Sequence, residues 1–147
     1  MNVIANNVAI GSEKGEMTLY TGKNRITNSG WASLVKTEKR SDPIKVEVIT
    51  LDEYVEAHKI NKIDMMKIDI EGAEFDALLG ADNILKNFTP EIIMEINPFL
   101  LNRRKMNSIV ITTLLVNYGY KIYRIFKKRF SSNRPQRRNH YLRKYFV

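Results

Sequence analysis

The stretch that most constrains the fold is residues 63–74, Ile-Asp-Met-Met-Lys-Ile-Asp-Ile-Glu-Gly-Ala-Glu. A mostly apolar run holding Lys67 and Asp69 passes through a glycine into an acidic segment, the composition of a strand that turns into a helix. A run of this kind is expected to be buried on both faces, as central strands of parallel sheets are. Parallel neighbours need crossovers, so strands and helices should alternate on either side of it.

The flanks have that alternation. Val46, Val48 and Ile49 read as a strand that stops at Thr50. Thr50 with Glu53 forms a capping box, and Leu51, Tyr54, Val55 and His58 then recur on one helical face. Residues 71–86 are expected as the next helix, with Phe75, Leu78, Leu79 and Leu85 inward. Its acids Glu71, Glu74 and Asp76 fall in the first turns, where the helix dipole favours negative charge. Pro90 punctuates, and residues 91–96 form a second buried strand. Residues 108–118 predict a helix closed by Gly119, a residue suited to a left-handed terminator. Residues 120–126 and 141–147 predict two late strands with no helix between them, hence an antiparallel hairpin. Ahead of all this, residues 2–5 predict a short strand ending at Asn6-Asn7, residues 16–20 an alternating strand, and residues 31–35 its return. Residues 36–43 are polar and expected to be exposed.

With 147 residues the chain is one domain's worth, 1–147, large enough to bury a core without metal or disulfide staples. The absence of cysteine excludes disulfides and thiolate zinc sites and fits a reducing compartment. The first residues lack the basic start and apolar stretch of a secretory signal, and residues 109–116 are too few to span a bilayer. A cytoplasmic protein with no membrane span is expected. Charge is distributed unevenly. Of the 24 Lys and Arg, 13 follow Glu95, whereas all 16 Asp and Glu lie at or before it, so a part at −5 precedes a part at +13.

Chemistry concentrates at the end of the 63–70 run. Ligands of open α/β sheets sit in the crevice outside the carboxyl ends of the strands, where Asp69 and Glu71 should lie. Lys67 and Asp69 are two apart and share a strand face. Gly72 lets the backbone turn closely into the helix. Carboxylates so placed can orient a substrate hydroxyl, take its proton or hold a hard divalent cation, while helix capping and ion pairing are the plainer roles for the same residues.

The block Lys67-Ile68-Asp69-Ile70-Glu71-Gly72-Ala73-Glu74 resembles the KIDVEGAE-type motif of the FkbM methyltransferases. Further matches stand in register around it: Asn6 to Gly15 with Thr18-Leu19-Tyr20, the pair Ser33-Leu34, Val48-Ile49-Thr50-Leu51-Asp52, Leu79-Gly80-Ala81, and Pro90 to Glu95. Asn139-His140-Tyr141 is similar to the tail of some members, although a structural role for His140, as for Trp31, is the plainer reading. The resemblance is strongest over residues 3–100, ahead of a basic region at 101–147. It implies an α/β fold, an incomplete Rossmann-like class I methyltransferase sheet, mostly parallel with a C-terminal antiparallel hairpin. It also implies S-adenosylmethionine as cofactor and methylation of a hydroxyl oxygen on a sugar, other glycan or small metabolite. Asp69 and Glu71 are the catalytic candidates, Asn7, Val8 and Ala9 the cofactor-binding ones, and no metal site is expected. The family's cofactor site begins with a glycine-rich loop, and no two of the seven glycines here are separated by a single residue. The matched region begins at the family's third strand, so the 147 residues alone are expected to bind the cofactor poorly and to be inactive, as a truncated or split enzyme that a complementing polypeptide would complete. Two other readings compete: a non-catalytic fragment or subunit, and a nucleic-acid-binding module built on the basic, aromatic tail. Since such a tail more commonly keeps a surface loop soluble, nucleic acid is not an expected partner.

Overall fold

The computed structural model describes residues 3–22, 32–34, 36–38, 42–125 and 142–146. Its seven strands are β1 (Ala9–Ile10), β2 (Gly15–Thr21), β3 (Asp42–Ile49), β4 (Met65–Ile68), β5 (Glu91–Ile96), β6 (Ile122–Ile125) and β7 (Leu142–Phe146). The helices are α1 (Leu51–Ala57), α2 (Glu74–Leu79), α3 (Pro98–Arg103) and α4 (Ser108–Asn117), with one π-helical stretch, Ile84–Phe88.

The strands form two sheets, ordered β1-β3-β2 and β4-β5-β7-β6. β1–β3 and β4–β5 are parallel, whereas β2–β3, β5–β7 and β6–β7 are antiparallel. The late antiparallel pair is as expected, but the sheet is mixed and divided in two rather than mostly parallel. The physical reason is local. β2 and β3 pair over seven residues each, from Gly15↔Val48 to Thr21↔Asp42, and need no crossover helix. Pro43, which has no N–H to give, sits near the start of β3, where β1 does not reach it.

Three expected strands come out shorter. Residues 3–8 adopt no regular structure, Val3 and Ile4 are exposed, and no strand among the described residues pairs with this segment. Met1 and Asn2 lie outside the described residues, as do Trp31 and Val35. Of the return strand expected at 31–35, the described residues 32–34 show one bridge, Tyr20↔Ser33. The run at 63–70 gives a strand only at Met65–Ile68, and among the described residues it is an edge, paired with β5 alone. Met65 and Lys67 are exposed while Ile68 is buried, so the strand is covered on one face rather than two.

The capping box at Thr50 is present with both reciprocal bonds, the Glu53 N–H donating to Thr50 Oγ1 and the Thr50 N–H to Glu53 Oε2. His58 is not on the apolar face. It ends α1 exposed, stacked on Tyr54 with ring centroids 4.1 Å apart. The helix expected over 71–86 begins later, at Glu74, and breaks at Gly80 before the π-helical stretch. Phe75, Leu78 and Leu85 belong to the core, but Leu79 turns outward at 42% exposure. The break is held from outside. Asp52 Oδ2 and Oδ1 accept from the Asn83 and Ile84 N–H groups, capping the second segment from α1. Gly80 also accepts from the Asp52 N–H at 2.9 Å and lies so close to Gly11 that a Cβ on it would stand 2.1 Å from the Gly11 carbonyl oxygen.

β5 places Ile92, Met94 and Ile96 in the core with Leu78, Leu85, Leu101, Ile111 and Leu115. The helix α3 was not expected from the sequence; Pro98 opens it and the Asn97 side chain accepts from the Phe99 and Leu100 N–H groups. α4 forms as expected, and Gly119 takes a positive φ of 87° after it.

Candidate functional site

The carboxyl end of β4 runs through Asp69 and Ile70 into a turn in which two successive residues have positive φ, Glu71 at 55° and Gly72 at 105°. Glycine takes that conformation without cost, whereas Glu71 in it carries strain. Glu71 therefore lies in the turn and not in the first turn of α2 as the sequence suggested. Its conformation is held from outside the turn, since Ser33, itself buried, donates its hydroxyl to the Glu71 carbonyl at 2.8 Å. The next peptide is held as well: Arg104 donates Nη1 to the Gly72 carbonyl at 2.7 Å and pairs through Nη2 with Asp76 at 2.6 Å.

Glu74 completes the turn from inside. The helix N-cap is Ala73, which has no side-chain acceptor, and Glu74 substitutes for it by folding back so that Oε1 accepts the Gly72 N–H at 3.0 Å. The residue is 1% exposed, and Oε2 has no partner. Burial pushes the Glu74 carboxyl above the usual carboxylate range, against backbone N–H groups that favour its charged form.

Asp69 and Lys67 share a strand face as expected, with Nζ to Oδ2 at 2.9 Å, and both side chains are open to solvent. Asp69 and Glu71 both follow the carboxyl end of β4. Asn7, Val8 and Ala9 are not joined to them by strand pairing. They enter the other sheet through β1, with Asn7 exposed and Val8 and Ala9 half-buried. A cleft of about 260 Å³ is lined by residues 11–17, Leu34, Val48, Asp76 and Arg104, and Arg104 touches both the cleft and the Gly72 peptide.

Sequence reasoning gave Ser33 no role, although the pair Ser33-Leu34 is part of the family likeness. It missed Arg104 altogether, which stands in the basic region where no local pattern sets one arginine apart. His140 and the tail from Lys127 to Arg138 lie outside the described residues. Among the described residues no group of three or more His, Asp or Glu is placed to hold a metal ion, and no helix is long and apolar enough to cross a membrane.

This cleft does not by itself fit S-adenosylmethionine, and none of Asn7, Val8, Ala9, Asp69 or Glu71 lines it. The cleft is smaller than the roughly 300–1,000 Å³ usual for ligand pockets. Of its two cations, Lys14 and Arg104, the arginine is already committed to Asp76 and Gly72, and Gly11, which also lines the cleft, approaches Val48 so closely that a Cβ there would stand 2.7 Å from the valine methyl. That glycine serves packing between β1 and β3 and leaves no cradle open for a ligand.

The family model described as Methyltransferase FkbM domain matches residues 1–122. No curated protein and no solved structure gives a match. The match takes in β1 to α4, the Asp69–Gly72 turn and the Arg104 clasp, and on that extent the chain belongs to the FkbM methyltransferase family.

Proposed function

We propose that this domain supplies the acceptor side of an S-adenosylmethionine-dependent O-methyltransferase acting on a hydroxyl of a sugar, glycan or small metabolite. The observation that carries the reading is the clasped turn after β4. A strained backbone held by Ser33, Arg104 and Glu74 at once is what a fixed reacting geometry needs. In the family the bound cofactor supplies the methyl group. On this chain, Asp69 and Glu71 would orient the acceptor hydroxyl or take its proton, with Lys67 holding the Asp69 carboxylate in place. Asn7, Val8 and Ala9 would line the cofactor's edge.

The same reading holds that the 147 residues alone bind the cofactor weakly. Calorimetric titration of the purified chain tests this directly: weak or undetectable heat supports it, and saturable binding in the micromolar range overturns it. A complementing polypeptide is favoured by one observation, that among the described residues β4 pairs with β5 on one side only. A strand added there would satisfy the free backbone groups of Met65–Ile68. If a candidate polypeptide restores cofactor affinity, Asp69→Asn and Glu71→Gln in the complex should then lower methyl transfer while leaving that affinity in place.

A further inference from the structure

The face of α4 turned away from the core has the wrong chemistry for a helix in water. Ile111 and Leu115 are fully buried against the core, and the opposite side carries Ile109 at 67% exposure, Val116 at 55% and Val110 at 39%, with Thr113 and Asn117 between them. At 100° per residue, Ile109, Thr113 and Val116 form one stripe centred opposite the buried one. No charged residue occurs anywhere in Ser108–Asn117, in a chain whose residues are 27% charged. A helix that is apolar all round is normally buried all round. Exposed Lys105 precedes the helix in the chain and exposed Lys121 follows it.

We propose that the outer face of α4 docks on an anionic lipid surface. Charge decides between this occupant and a second copy of the chain. The chain carries a net charge of +8, so two copies repel each other. An anionic surface reverses the sign of that interaction. It accepts Ile109, Val110 and Val116 among its acyl chains while Lys105 and Lys121 reach the headgroups with their apolar stems alongside. Such docking is peripheral and needs no spanning helix.

The test is co-sedimentation of the full chain with vesicles of phosphatidylcholine alone and of phosphatidylcholine mixed with phosphatidylserine. The expected result is binding to the mixed vesicles only, weakened by salt. The double variant Ile109→Asn, Val116→Asn should lower the affinity by on the order of tenfold or more, since each apolar group that no longer enters the membrane forfeits its transfer energy. As the chain has no cysteine, Thr113→Cys labelled with a polarity-sensitive dye gives a second readout on a protein whose core is untouched. Its emission should shift to the blue on mixed vesicles. Three results overturn the proposal: unchanged affinity of the double variant, which would leave the basic tail as the whole attraction; an unshifted dye on vesicles that do bind; or no vesicle binding, with sedimentation velocity then reporting whether a second copy covers the face.

Discussion

Glu74 carries a carboxyl group into the core beside the turn that ends β4, and its titration follows from two opposed effects. Backbone N–H groups at the start of α2 favour the carboxylate, while burial disfavours it and prevails, so the folded-state pKa lies above the unfolded one. The folded protein then binds more protons than the unfolded one between the two values. Stability is fully present below the unfolded pKa and falls as pH rises through the folded one. Glu74→Gln keeps an oxygen for the Gly72 N–H and removes the proton. The substitution should flatten that fall, as read from denaturant midpoints at a series of pH values; an unchanged slope would assign the pH dependence elsewhere. A second residue prediction concerns glycine. Gly80→Ala should cost roughly 1–3 kcal/mol or more, as overpacking does, because the new Cβ meets the Gly11 carbonyl. Gly15→Ala should change stability little, since nothing lies within 4 Å of its Cβ position. Thermal or denaturant unfolding separates the two. At this scale the acids of the motif were legible in the sequence, because Asp69 and Glu71 stand at fixed steps from an apolar run and a glycine. The groups that hold them, Ser33 and Arg104, come from 38 and 32 residues away along the chain, bonding Glu71 and Gly72 respectively, and nothing local marks them.

Elements with strong local signals formed where the sequence put them. The Thr50 capping box, the alternating β5 and the Gly119 terminator each rest on neighbours within a few residues. β4 did not follow its composition. A mostly apolar run predicts two covered faces, but coverage depends on what packs there, and among the described residues this strand has a sheet neighbour on one side only. α2 likewise stops short of its helical pattern, because Gly80 must pass against Gly11 and Asp52 restarts the backbone at Asn83. The unexpected α3 rests on an Asn-Pro start that resembles a loop signal as closely as a helix one. α4 offers a direct test of which face belongs to the core. Leu115→Ala should destabilise by about 2–5 kcal/mol, whereas Val116→Ala, one residue on and 55% exposed, should cost well under about 1 kcal/mol. Equal losses in urea titrations would place α4 in the wrong rotation.

At the scale of the whole molecule, two small sheets accompany a clasped turn, and the sequence has an acidic first part and a basic second part. The order β4-β5-β7-β6 ends in antiparallel pairs as the spacing of the late strands implied. The division into two sheets was not legible, because pairing between strands far apart in the chain depends on which neighbours are present. The proposed location for methyl-transfer chemistry is the turn formed by Asp69, Glu71 and Gly72, with Asn7, Val8 and Ala9 at the start of the other sheet as the cofactor's edge. Amide chemical shifts of the isotopically labelled chain, followed while S-adenosylmethionine is added to high concentration, test that location even when binding is weak. The account predicts the largest changes at residues 7–9 and 69–72; changes confined to other parts of the chain, with both of these segments unmoved, would contradict it.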